Sequence, residues 1–220
     1  MIQIRYFDAD STFCGCLFHF AQILWRKLQN EGLSEDYKAE ENESLRREFH
    51  CLIALAFEPE RDVENAFDEL WATSEEESLQ PLFEHVEDNY VKGKRRGRGR
   101  SAPAFPPKLW NCYERVLEDL PRTTNTAEAW HRRLNLIVGK HHPSFYVLLD
   151  QLKDEVEVIN AEVTRAEGGH SPPRKRTKYE DTDKRIARVV DRYATYKEDV
   201  EVIQYLKAIG SNLAGNIGDD

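Results

Sequence analysis

The sequence predicts a mainly α-helical protein on three observations. Apolar residues recur at three- and four-residue spacing through most of the chain, helix stop signals fall between the periodic stretches, and strand-like alternation is confined to the N-terminal residues. With 220 residues, 40% of them hydrophobic, there is apolar surface enough for one large domain, or for one with a small appendage.

At the start of the chain Ile2, Ile4 and Tyr6 alternate like a strand, while Ile4 and Phe7 also fit one helical face, so both readings stay open there. "STFCGCLFHF" is short and rich in aromatic and small apolar residues; it reads as a strand near residues 11–18 that passes into a helix near His19. The next stretch places Phe20, Ile23, Leu24 and Leu28 at helical spacing and stops at Gly32. "SLRREFHCLIALAF" continues as a helix ending before Pro59, and "ERDVENAFDELWA" as another with Val63, Ala66, Phe67 and Leu70 on one face. Ser74 with Glu77 three residues on makes a capping box for the helix after that.

"GKRRGRGRSAPAFPP" then breaks the periodicity with glycines and prolines and predicts a basic loop. In "PKLWNCYERVLEDL" a resumed helix places Trp110, Tyr113, Val116, Leu117 and Leu120 on one side, and Asn125 is the N-cap expected for "NTAEAWHRRLNLIVG". Pro143 opens a long helix whose stripe is Phe145, Leu148, Leu149, Leu152, Val156, Ile159 and Val163, ended by Gly168 and Gly169. A basic linker, "HSPPRKRTK", precedes two further helical patterns, "TDKRIARVVDRYATY" and "EDVEVIQYLKAIGSNL".

Charge is unevenly placed. Forty acids against 31 bases give a net charge of -9, which taken alone argues against a nucleic-acid surface. Residues 31–88 hold 19 acids and 4 bases, a balance of 4 - 19 = -15, whereas residues 92–100 hold six bases and no acid. Phosphate would meet Lys92, Lys94, Arg95, Arg96, Arg98 and Arg100 rather than the acidic helices. Glycine between arginines lets a chain follow phosphates, giving affinity without sequence reading; the plainer reading is a solvated linker. "PPRKRTK" at 172–178 is a weak nuclear-localisation pattern or another charged linker.

Four cysteines occur in a sequence with no apolar leader and no run of about 18 apolar residues, which predicts reduced thiols and no membrane span. Cys14, Cys16 and His19 have tight zinc-ligand spacing, with His50 or Cys51 as a fourth; the alternative is small buried residues beside a hydrogen-bonded histidine. A nucleophilic Cys/His pair lacks an accompanying glycine motif. Glu128 has two readings as well. With Asn125 it completes a capping box, worth on the order of 1 kcal/mol; the other reading is one leg of a metal-dependent active site.

"GCLFHFAQILWRKLQNEGLSEDY", "LIALAFEPERDVENAFDEL", "FPPKLWNCYERVLEDLPRTTNTAEAWHRRL" and "GKHHPSFYVLLDQLKDE" together resemble, in order and across residues 2–213, the central and C-terminal part of Mutator-like element (MULE) transposases and their domesticated relatives. That family is of the DDE type, in which a ribonuclease H-like fold holds two Asp and one Glu around divalent metal, with a helical insertion before the Glu. The resemblance implies a layout: 1–20 a remnant of the ribonuclease H-like core, 21–91 the acidic helical insertion, 92–106 the basic loop, 107–169 helices including that of Glu128. A basic linker at 170–179, a C-terminal helical pair at 180–213 and a tail at 214–220 complete it. It matches Glu128 to the family's third acid, and Cys16 with His19 to its Cys-x-x-His signature.

The first two aspartates have no counterpart, because Asp8 and Asp10 match no catalytic position. Two-metal phosphoryl transfer needs ions about 4 Å apart held by converging carboxylates, and Mg²⁺ keeps most of its water when offered only one. The expectation is therefore an N-terminally truncated, catalytically incomplete chain in the nucleus. It has no metal or cofactor of its own, although Mg²⁺ serves the intact family. Its partners are DNA, held weakly by the backbone, and a second copy or a full-length transposase; no membrane is involved. Two alternatives stand: a truncated version of an active DDE transposase, and a helical interaction module whose acidic insertion binds a basic partner.

Overall fold

The computed structural model describes residues 14–123, 125–139, 143–170, 177–199 and 201–214; the side chains of 125–128, 177–179, 198 and 199 lie outside that description. The described chain is mainly helical, as the periodicity predicts. In order come α1 (Leu17–Asn30), α2 (Ser34–Lys38), α3 (Glu43–Ala54), α4 (Val63–Ala72), α5 (Gln80–Val86), α6 (Pro107–Trp110), α7 (Tyr113–Leu117), α8 (Asn125–Val138), α9 (Phe145–Glu167), α10 (Thr177–Asp191), α11 (Tyr193–Asp199) and α12 (Val202–Leu213). They fall into two compact units, one of residues 1–123 with 182–220 and one of residues 124–181.

The first unit is built on α3 against α12. α3 buries Leu45, Phe49, Leu52 and Ile53, and α12 buries Ile203, Leu206, Ile209 and Leu213, each at helical spacing. Gly210 permits the close approach: a Cβ there would lie 3.2 Å from the Cβ of His50. Leu24 and Leu28 of α1, Phe67 and Leu70 of α4 and Phe83 of α5 complete the core. Ile23, expected on the buried face of α1, is 37% exposed.

Three consecutive carbonyls organise the centre. Ala56 O accepts the Cys112 N–H at 2.6 Å, Phe57 O accepts the Tyr205 hydroxyl, and Glu58 O accepts Asn111 Nδ2 at 2.6 Å. Serving this segment breaks the helix expected over "PKLWNCYERVLEDL". Asn111 is extended (φ -64°, ψ 141°), leaving α6 and α7 as separate short helices, and Leu117 and Leu120 are about half exposed.

Two further expectations change for local reasons. The strand expected near residues 11–18 does not occur in its described part: α1 already begins at Leu17, while the Gly15 and Leu17 N–H groups go singly to Leu109 O and Arg122 O. Residues 11–13 lie outside the description. Ser74 does not cap a helix at Glu77; its hydroxyl bonds the Glu48 carboxylate of α3, and the chain enters α5 through a 3₁₀ turn at Glu77–Leu79.

In the second unit α9 starts at its N-cap Ser144, whose Oγ accepts the Val147 N–H at 3.4 Å. It stops at Gly168 and Gly169, the latter at φ +82°. α8 and α9 pair through Glu155, which accepts Trp130 Nε1 at 3.1 Å and the Arg133 guanidinium at 2.5 Å. The predicted stripe of α9 makes no closed core within this unit: Leu148, Leu149 and Leu152 are half-buried, whereas Phe145, Val156, Ile159 and Val163 are exposed.

Candidate nucleic-acid interface

The basic stretch is built into a hairpin. α5 runs on into a π-helical turn, Glu87–Val91, whose first carbonyl accepts both the Lys92 and the Gly93 N–H, at 2.8 and 2.9 Å. The chain then forms β1 (Arg95–Arg96) and β2 (Gly99–Arg100), antiparallel, with Arg95 opposite Arg100 and Arg96 opposite Gly99. Gly97 and Arg98 make the two-residue connection, and Gly97 at φ +58° supplies the positive φ that a type II′ hairpin turn needs at its first central position. Gly93, at φ +84°, is obligatory for another reason: a Cβ there would lie 1.9 Å from Ser101 O.

The six bases divide into two groups. Arg100 donates to the Glu87 carboxylate at 2.7 Å and to Gly93 O at 2.8 Å. Lys92 binds the Asp68 carboxylate and lies 3.8 Å from that of Glu87. Both are three-quarters or more buried at the hairpin base, so their charge is spent on the fold. Lys94, Arg95, Arg96 and Arg98 are exposed and have no carboxylate partner among the described residues.

An aromatic base holds both ends of this element. Tyr90 and Phe105 stack at 5.4 Å, Phe20 and Trp110 at 4.7 Å, and Trp110 Nε1 donates to Phe105 O at 3.0 Å and Tyr90 O at 3.3 Å. Four cations are thereby presented on a short, anchored turn. Such an array suits the phosphate backbone, since charge-assisted bonds to phosphate oxygens carry no base information.

The other residues singled out from the sequence lie elsewhere. Cys16 is buried, Cys14 and His19 are exposed, and the thiol that comes near Cys14 and Cys16 is that of Cys112, pushed up to about 11 by burial. Neither alternative fourth ligand lies there: His50 Nε2 is 3.0 Å from the Tyr37 hydroxyl, and Cys51 lies among Glu48, Arg47 and Lys207. Glu128 is in the first turn of α8, its side chain outside the description. Residues 171–176 of the second basic run also lie outside it. Among the described residues no group of three or more His, Cys, Asp or Glu is placed to hold a metal ion, and no helix is long and apolar enough to cross a membrane.

The structure adds residues that sequence reasoning passed over. Asp68 and Glu87 set which cations are free. Glu58 is wholly buried, and neither of its carboxyl oxygens has a hydrogen-bond partner. Tyr193 lies beside it, but its one hydroxyl proton goes to Asp62 at 3.1 Å. Burial pushes the Glu58 carboxyl up to about 8.

No protein-family model, curated protein or solved structure matches the chain.

Proposed function

We propose that this chain is a transposon-derived, MULE transposase-like protein that binds the nucleic-acid backbone through its hairpin and does not itself cut DNA. The observation that carries the binding is the division of the basic stretch: four cations project from an anchored turn while Lys92 and Arg100 are held by acids. The MULE resemblance supplies the polymer, DNA, the ribonuclease H-like ancestry, the nuclear location and the use of Mg²⁺ by intact relatives. Glu128 is then a former catalytic position whose two aspartate partners have no match in this sequence.

Fluorescence anisotropy with duplex DNA near 50 mM salt tests the reading. Replacing Lys94, Arg95, Arg96 and Arg98 by Gln should abolish most binding and leave the helical circular dichroism intact. The log-log salt slope of the parent should lie near -3.6, since four phosphate contacts each release about 0.9 counterion. If the neutralised hairpin binds as the parent does, the interaction-module reading replaces this one. With Mg²⁺ or Mn²⁺ the protein should neither nick nor join DNA; cleavage that disappears in Glu128→Gln would overturn the catalytic half of the proposal.

A further inference from the structure

Away from the hairpin, a groove of about 710 Å³ opens between α2, α3 and the end of α12. Its inner part is the Tyr37–His50 pair, 8% and 4% exposed and joined at 3.0 Å. Gly210, Ser211 and Ala214, small residues on the α12 side, keep it open. Arg46 lines the groove but is already engaged: its guanidinium donates to the carbonyls of Tyr37, Ala39 and Glu40, and so fixes the end of α2.

Arg47 and Lys207 are placed differently. They come from α3 and α12, both line the groove, and neither has a carboxylate partner among the described residues. Two cations that line one groove without carboxylate partners can share a multivalent anion through charge-assisted bonds. Glu40 and Glu43, also lining the groove, disfavour a long polyanion and can accept hydrogen bonds from hydroxyl or amino groups. The volume falls in the range of small-ligand sites, and helix bundles place such sites between their helices.

We propose that this groove binds a phosphorylated small molecule, its phosphate held by Arg47 and Lys207 and its organic part lying along the groove past Ser211 and Ala214. Burial, reinforced by Arg46, lowers the His50 pKa to about 4. At neutral pH the ring is therefore uncharged, and with its Nε2 held by Tyr37 it adds no cation to the groove floor. The acids Glu40 and Glu43 separate this site from the hairpin in kind, since the hairpin carries no acid and accepts an extended backbone.

Isothermal titration of the whole protein with 5′-AMP tests the site. AMP should bind the parent, with inorganic phosphate competing, and should bind equally well when Lys94, Arg95, Arg96 and Arg98 are Gln. Replacing both Arg47 and Lys207 by Gln should weaken AMP about tenfold or more, as expected for losing charge-assisted bonds. Ser211→Trp, which fills the groove without removing charge, should weaken it comparably, and adenosine should bind far more weakly than AMP. The proposal fails if AMP does not bind at millimolar concentration, if adenosine matches it, if hairpin neutralisation removes binding, or if the Arg47/Lys207 variant binds as the parent does.

Discussion

Glu58 is an acid in apolar surroundings, and the sign of its contribution to stability follows from its pKa. Its folded carboxyl titrates at about 8 against an ordinary 4.5, because burial disfavours the charged form. Between those values the unfolded chain has lost the proton and the folded chain keeps it, so stability falls as pH rises from about 4.5 to 8 and levels off above. His50 acts in the opposite sense. Its pKa is held at about 4 by burial, so stability falls as pH drops from the ordinary 6.5 toward 4. Together they place the optimum in the mildly acidic range. Glu58→Gln should raise the midpoint of denaturant unfolding at pH 8, with little change at pH 4.5, and should flatten the alkaline limb. An equal effect at both pH values would mean that the carboxyl is charged throughout. None of this was legible locally, since nothing in "AFEPERD" marks Glu58 as buried, and Tyr193, which lies beside it, comes from the far end of the chain.

At the scale of elements, legibility followed the range of the interactions. α3 and α4 were readable because their buried residues repeat within a dozen positions, and the same holds for the stop at Gly32. The break between α6 and α7 was not, because its cause is Cys112 N and Asn111 Nδ2 reaching the carbonyls of Ala56 and Glu58. The basic loop was legible as composition, while its ion pairs with Asp68 and Glu87 depend on folding. Those pairs predict a gain from removing an acid. Glu87→Gln frees Arg100 from its 2.7 Å carboxylate partner, so DNA affinity at low salt should rise and the salt slope should steepen by about 0.9, one further counterion release. An unchanged or shallower slope would place Arg100 off the phosphate path.

At the scale of the whole molecule the two units differ most in what they bury. The first holds every residue of the hydrophobic core, from Leu17 to Leu213, whereas in α8 and α9 the one buried side chain among the described residues is Glu155, a polar group tied to Arg133 and Trp130. Apolar burial is the main term opposing chain entropy, so α8 and α9 should have far less cooperative stability of their own. The sequence suggested otherwise, because the Phe145–Val163 stripe has the spacing of a core-facing helix, and spacing cannot say whether a partner surface exists. Scanning calorimetry with circular dichroism should therefore show helix loss in two stages, the earlier one from α8 and α9. Leu52→Ala, in the α3 core, should lower only the later transition, by about 2–5 kcal/mol, as for other buried leucines. Arg133→Leu, which leaves Glu155 without its cation, should lower only the earlier one. A single transition that both substitutions move together would show that the units unfold as one and would sink the division drawn here.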